Sequence, residues 1–135
     1  LLLILGPSAF SQKVGKLENG NPVLTANREV MMQNLEITLK KHAKIAVKFE
    51  SAEIVTDQGN YYLVFRSSRY TTKFQLLVKN GALVAAAISC TTTSCASTSG
   101  CTPDWMGRSC SQCSGDCTKV TSTFQLGTPE VLGDH

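Results

Sequence analysis

The stretch "KFQLLVKNGALVAAAISC" (Lys73–Cys90) places the dipeptide Asn80-Gly81 between two apolar runs. Both residues of the dipeptide tolerate the positive φ that the type I′ turn of a two-residue hairpin requires. An Asn-Gly pair in this setting is the strongest short-range signal for a β-hairpin. The stretch therefore predicts two antiparallel strands, and we expect the rest of the sheet to extend this pair.

Two segments upstream predict further strands. "YYLVFRSS" (Tyr61–Ser68) is rich in aromatic and β-branched residues, as strands are. Ile45, Val47 and Phe49 alternate with more polar neighbours, which indicates a half-buried strand. The alternation changes phase near Ala52, where we expect a β-bulge. Together these segments predict a four-stranded antiparallel meander that ends just before the first cysteine.

The segment before the meander predicts one amphipathic helix. Within "ANREVMMQNLEITLKKHAK" (Ala26–Lys44), apolar residues recur at a spacing of four: Met31, Leu35, Leu39 and Ala43. That spacing is typical of one helix face, and Thr25 or Asn27 is a suitable N-cap. A meander cannot cover its own apolar face, so the helix is expected to pack on it. Residues 25–89 thus predict an α+β fold, with one N-terminal helix packed on an antiparallel β-meander.

This layering resembles that of cystatin-like folds, in which a helix also lies across an antiparallel sheet. The resemblance is one of architecture only. "QKVGK" (Gln12–Lys16) misses the contact motif of that family, Gln-x-Val-x-Gly, by one position. Pro103 and Trp105 are likewise not the adjacent Pro-Trp pair of the family. The resemblance therefore implies an arrangement of helix and sheet and no function, because one fold serves many functions.

The N-terminal segment "LLLILGPSAFSQ" (Leu1–Gln12) has the pattern of the end of a secretory signal peptide. A short apolar run is followed by small residues, Ala9 and Ser11, at the −3 and −1 positions of a cleavage site. We expect residues 1–11 to be the remnant of such a peptide and residues 12–24 to be a polar linker. The apolar run is much shorter than the ~20 residues that cross a bilayer. These features predict a secreted or periplasmic protein with no transmembrane span in the mature chain.

Charge and motif content narrow the classes of function. The net charge is +3 and the basic residues form no long block, whereas nucleic-acid interfaces usually cluster Lys and Arg. We therefore expect no nucleic-acid partner. The chain contains neither a Gly-x-Ser-x-Gly elbow nor a glycine-rich phosphate loop, which are signatures of serine hydrolases and of nucleotide sites. We therefore expect a non-enzymatic protein with no catalytic residues and no cofactor.

All cysteines of the chain lie in residues 90–117: Cys90, Cys95, Cys101, Cys110, Cys113 and Cys117. This segment is rich in Ser, Thr and Gly and poor in aliphatic residues, so it cannot form a conventional hydrophobic core of its own. An even number of cysteines in a secretory chain predicts disulfides, and three bridges would use every cysteine. The pairing stays open, because six cysteines allow 15 pairings.

Two other uses of the cysteines are consistent with their spacing. One is a four-thiolate zinc site with these ligands: Cys101, Cys110, Cys113 and Cys117. That site leaves two cysteines over. The other is a thiol–disulfide oxidoreductase, because Cys110 and Cys113 have the C-x2-C spacing of such enzymes. The main prediction is a disulfide-stapled module that binds no metal.

The longest loop between cysteines contains the candidate binding residues. Trp105 and Arg108 lie in this loop, and both residue types are frequent anchors at interfaces. We expect Trp105 to pack on the disulfides as the small core of this segment, because little else there could be buried. The alternative is that Trp105 and Arg108 contact an unidentified protein or small-molecule ligand. Residues 118–126 alternate as a strand does, so the Cys-rich loop is expected to be inserted before a final strand. Residues 127–135 are expected to form a tail.

Overall fold

The computed structural model describes residues 10–95, 100–104, 108–121, 126 and 128–131. These ranges contain one helix and eight strands, in the order β1 (Phe10–Glu18), β2 (Asn21–Leu24), α1 (Arg28–Ala43), β3 (Ser51–Asp57), β4 (Asn60–Arg66), β5 (Thr71–Lys79), β6 (Ala82–Thr92), β7 (Thr118–Thr121) and β8 (Thr128–Val131). The described strand pairs are antiparallel. The chain is therefore an α+β protein, as predicted.

Strands β3 to β6 form the predicted meander. The β5–β6 turn falls at Asn80-Gly81, where φ is 51° and 81°, as a type I′ hairpin requires. The first strand begins later than predicted, because residues 44–50 belong to no strand. The backbone N–H of Phe49 donates to the Glu36 carboxylate of α1 at 2.7 Å, and only the backbone N–H of the next residue, Glu50, donates to the Arg66 carbonyl oxygen of β4, at 2.8 Å. The register of β3 on β4 is continuous, and the bulge expected near Ala52 is absent.

Two strands precede the helix, so the prediction of an N-terminal helix is wrong. β1 and β2 form a hairpin in the segment that we expected to be a polar linker, and they turn at Asn19-Gly20, where φ is 55° and 80°. Val14 is fully buried and Leu17 packs against the core, so this hairpin contributes apolar surface that a linker would not. The first two residues of β1 fall in the segment 1–11 assigned to a signal-peptide remnant, and residues 1–9 lie outside the described ranges.

The sheet follows the strand order β2-β1-β6-β5-β4-β3, with β7 paired to β6 and β8 paired to β1. β7 lies beside β6, with Ile88 opposite Thr121. The Cys-rich segment is thus inserted between two neighbouring strands, as predicted, while residues 122–125 lie outside the described ranges. β8 is a further strand in the segment expected to be a tail. The edge strands β2 and β3 approach each other, so the sheet is nearly barrel-shaped rather than an open meander.

The helix packs on one face of this sheet, as predicted. Asn27 is its N-cap, and the Asn27 side chain accepts a hydrogen bond from the backbone N–H of Val30 at 3.0 Å. The stripe expected on its inner face is fully buried at three positions: Met31, Leu35 and Leu39. In the same core, the ring centroid of Phe65 lies 5.7 Å from that of Phe49 and 5.8 Å from that of Phe74. Aromatic packing therefore joins the connecting segment to the central strands β4 and β5.

Gly15 lies where β1, β2 and β3 meet. A Cβ atom at this position would overlap the carbonyl oxygen of Val23 and would lie 3.4 Å from Cδ1 of Ile54. Nearby contacts also involve β3, because Arg28 Nε donates to the carbonyl oxygen of Ala52 at 3.0 Å. The missing side chain at Gly15 thus lets the edge strands close toward each other.

We expect Gly15→Ala to lower the free energy of unfolding by about 1–3 kcal/mol, the usual cost of inserting a methylene-sized group into a packed region. The added carbon fits only if β2 moves away, because its nearest neighbour is backbone. Urea unfolding followed by circular dichroism measures the loss. The control is Ala46→Val at an exposed position, which should change stability by less than about 0.5 kcal/mol. Equal stability of the two variants would contradict the close approach of β1 and β2 at Gly15.

Candidate functional site

Three disulfides pair all six cysteines, as predicted: Cys90–Cys110, Cys95–Cys113 and Cys101–Cys117. Their Cα–Cα distances of 5.8, 6.1 and 5.5 Å lie within the usual range for disulfides. In sequence order, the first cysteine bonds to the fourth, the second to the fifth and the third to the sixth. We call residues 90–117 the stapled module.

This pairing bears on both alternative uses of the cysteines. A zinc site needs free thiolates, and every cysteine is in a bridge. Among the described residues, no group of three or more His, Cys, Asp or Glu side chains is arranged to hold a metal ion. A redox-active C-x2-C pair cycles through a bond between its own two sulfurs, whereas Cys110 and Cys113 bond to Cys90 and Cys95. The geometry therefore supports cross-linking as the role of the cysteines.

The stapled module lies on the face of the sheet opposite α1. Lys73 and Cys90 are cross-strand neighbours in β5 and β6, and the side chains of such neighbours share a face. Phe74 points into the helix-side core, so Lys73 points away from it. Lys73 Nζ donates to the carbonyl oxygen of Gly100 at 3.3 Å and to Thr102 Oγ1 at 3.1 Å. One bridge and one ammonium group thus anchor the module to the sheet.

The module covers Lys73, which is only 9% exposed. Burial lowers the pKa of Lys73, the positive charge of Arg66 lowers it further, and the Asp57 carboxylate acts in the opposite sense. An ammonium group covered in this way needs hydrogen-bond acceptors. The module supplies two of them, so the charge of Lys73 and the position of the module depend on each other.

Asp104 and Ser111 organise the inner loop of the module. The backbone N–H of Thr102 donates to Ser111 Oγ at 3.0 Å, and the backbone N–H of Ser111 donates to the Thr102 carbonyl oxygen at 2.9 Å. The Asp104 carboxylate accepts a hydrogen bond from the backbone N–H of Arg108 at 2.9 Å. Of the two candidate binding residues, Arg108 is exposed beside this loop, and Trp105 lies outside the described ranges.

Asp116 fastens the end of the module to its beginning. Its carboxylate accepts hydrogen bonds from the backbone N–H of Thr93 at 3.1 Å, from Thr93 Oγ1, and from Ser94 Oγ at 2.7 Å. These bonds, led by those from the Thr93 and Ser94 side chains, lower the pKa of Asp116 from 3.8 to about 2. The ionised carboxylate is therefore the form that holds the two ends together.

Acid is expected to weaken this attachment. Because the pKa of Asp116 is depressed in the folded state, its contribution to stability is present above pH 3.8 and is lost as the pH falls through about 2. The difference in unfolding free energy between the native protein and Asp116→Asn should therefore shrink across this window. Thr93→Val, which removes one donor, should raise the pKa of Asp116 and shift the loss to higher pH. A difference that stays constant across the window would contradict the role of the carboxylate.

A groove of about 230 Å³ lies between the stapled module and the β3–β4 turn. Its polar lining comes from both sides: Asp57, Asn60 and Tyr62 from the turn and β4, and Thr102, Asp104 and Ser111 from the module. Burial raises the pKa of Tyr62, and the negative charge of Asp57 raises it further. The Tyr62 phenol is therefore protonated at neutral pH and is able to donate and to accept a hydrogen bond.

Sequence reasoning did not identify this groove. Its two walls are distant in the chain, and they meet because β4 lies beside β5, β5 lies beside β6, and Cys110 is bonded to Cys90 of β6. No local pattern in either wall carries that information. The candidate residue Arg108 is not among the residues that line the groove.

The fold and the groove define the chain as a small α+β protein with a disulfide-stapled module. The chain has no match among protein-family models and no significant match among curated proteins or solved structures. In the part of the chain that the structure describes, no helix is both long enough and apolar enough to cross a membrane. The functional conclusion therefore depends on the geometry of the site.

Proposed function

We propose that this is a secreted or periplasmic, non-enzymatic protein that binds a partner through its stapled module. The observation that carries the proposal is the set of three disulfides, which hold a polar module against the sheet and leave a groove beside it. Disulfides form and persist in oxidising compartments such as the extracellular space and the periplasm. The bridges support the location, and the groove supports binding.

Cross-linking supports a binding role because it positions one wall of the groove before a partner arrives. A loop that becomes ordered only on binding lowers affinity by the cost of ordering it. In the module wall, Cys101 is fully buried and is bonded to Cys117. The next residue, Thr102, is held by hydrogen bonds to Lys73 and Ser111. A disulfide and hydrogen bonds therefore fix the position of this wall before a ligand binds.

The hydroxyl groups of the groove support a non-enzymatic role. Thr102 Oγ1 donates to the Gly100 carbonyl oxygen at 3.2 Å and accepts from Lys73, and Ser111 Oγ accepts from a backbone N–H. A nucleophilic hydroxyl needs an adjacent general base, whereas Thr102 Oγ1 contacts a carbonyl oxygen and an ammonium group. The residues that line the groove include no His and no Cys.

Thiol analysis tests the proposal. Protein recovered from its native compartment is alkylated before and after reduction, and the mass of each sample is measured. We expect no free thiol before reduction and six afterwards. Six alkylated cysteines before reduction would contradict the proposal, because they would place the chain in a reducing compartment.

A further inference from the structure

The size of the groove points to a single side chain as its ligand. Its volume of about 230 Å³ is below the roughly 300–1,000 Å³ of pockets that enclose a small molecule. Protein–protein interfaces commonly centre on a few anchor side chains that fill such depressions, with Trp, Tyr and Arg the most frequent. A groove of this size therefore suits one anchor residue of a partner protein.

The negative charges that line the groove favour a positively charged ligand. Asp57 lines it from the β3–β4 turn and Asp104 lines it from the module, so a carboxylate stands on each side. The chain as a whole carries a net charge of +3, so this site is a local reversal of sign. Lys73 lies close, but its ammonium group already donates to Gly100 and Thr102. Electrostatic complementarity therefore favours a positively charged anchor.

The acceptors around the groove favour a guanidinium group over an ammonium group. Asp57, Asn60 and Tyr62 supply a carboxylate, an amide and a phenol on adjacent positions of the turn and β4. Arginine presents a planar fork of N–H donors that matches carboxylates and stacks on aromatic rings, whereas lysine presents a compact point charge. Planar hydrogen-bond acceptors beside an aromatic ring therefore suit the guanidinium group of arginine.

We infer that the groove binds the guanidinium group of an arginine side chain on a partner protein. This inference rests on the proposed binding function and names the chemical class of the ligand. Asp57 and Asp104 provide the charge, Tyr62 provides the ring, and the disulfides hold the module wall in place.

Titration with N-acetyl-arginine amide, followed by ¹H–¹⁵N correlation spectra of the oxidised protein, tests the inference. We expect saturable shifts at the backbone amides of Asp57, Asn60 and Asp104. The lysine analogue should bind more weakly, and the uncharged citrulline analogue should leave these amides unshifted. Equal shifts with the citrulline analogue, or no saturable shift at these amides, would overturn the inference.

Two variants that each remove one negative charge provide the matched comparison. Asp57→Asn should weaken binding of the arginine probe about five- to tenfold, as the loss of one charge-assisted hydrogen bond predicts. Glu29→Gln, in the first turn of α1, should leave the affinity unchanged within about twofold, because α1 packs on the opposite face. Equal weakening by both variants would show a response to net charge alone and would also overturn the inference. None of these outcomes affects the thiol analysis, so the proposed compartment and the ligand class fail independently.

Discussion

Replacing Cys90 and Cys110 together by alanine is expected to lower the free energy of unfolding by about 3 kcal/mol. The two cysteines are separated by 20 positions in the sequence, and closing a loop of that length constrains the unfolded chain by about this amount. Cys90 is also fully buried in β6, so its loss removes packing under the module. This bridge is the covalent link between the meander and the inner loop of the module.

Urea unfolding of the double variant measures this effect, and the Cys95 and Cys113 pair provides the control. That pair has a sequence separation of 18, so the loop-entropy model gives it nearly the same cost, within about 0.1 kcal/mol. Cys95 is also buried, at 5% exposure, so any greater loss for the first pair reports the tighter packing of the fully buried Cys90. A loss below about 1 kcal/mol for the first pair would contradict its role as an anchor, because native disulfides of small secreted domains usually contribute 2–5 kcal/mol, roughly.

Truncation of Phe65 to alanine is expected to cost about 3–5 kcal/mol. Phe65 is fully buried, and its ring lies between those of Phe49 and Phe74. Its removal leaves a cavity at the point where the connecting segment, β4 and β5 pack together. Because small domains are stable by only about 5–15 kcal/mol, the variant should unfold at a much lower urea concentration than the native protein.

Two further variants keep this prediction testable if Phe65→Ala does not fold. Phe65→Leu retains most of the apolar volume and should cost less than the alanine variant, about 1–2 kcal/mol. Ile37→Ala removes an apolar side chain that is 66% exposed on α1, and it should change stability by less than about 0.5 kcal/mol. If Phe65→Leu were no more costly than Ile37→Ala, the aromatic cluster would not be the centre of the core.

The parts of the fold that could be predicted are those encoded within a few neighbouring residues. The Asn80-Gly81 turn depends on the φ angles of two residues, and the start of α1 depends on the Asn27 side chain and the first turn. The disulfides follow from the number of cysteines and the composition around them. Each of these signals is local, so no knowledge of the tertiary structure is needed to read it.

The parts that could not be predicted depend on contacts between distant segments. In β1, charged residues such as Lys13 and Lys16 hide the strand signal, and its main pairing places Lys16 opposite Ala82 of β6. β8 likewise depends on pairing with β1. The segment before β3 shows the reverse case, because it alternates as a strand does while the Phe49 amide bonds to a helix side chain.

The candidate site was harder to predict than the fold, because it depends on the connectivity of the disulfides. Six cysteines allow fifteen pairings, and the sequence does not distinguish between them. The structure has one of these: Cys90–Cys110, Cys95–Cys113 and Cys101–Cys117. That pairing places Thr102 and Asp104 beside the β3–β4 turn. The sequence directed attention to Trp105 and Arg108. Trp105 lies outside the described ranges, and Arg108 does not line the groove.

The interlaced order of the bridges has a consequence for proteolysis. Every peptide bond from Cys90 to Cys117 is spanned by at least one disulfide, and the bonds from Cys101 to Cys110 are spanned by all three. A protease that cuts once within the loop around Trp105 therefore releases no fragment while the bridges are oxidised. The nicked chain would gain the mass of one water molecule and would separate into two pieces only on reduction, because the bridges tether both halves of the opened loop to the sheet.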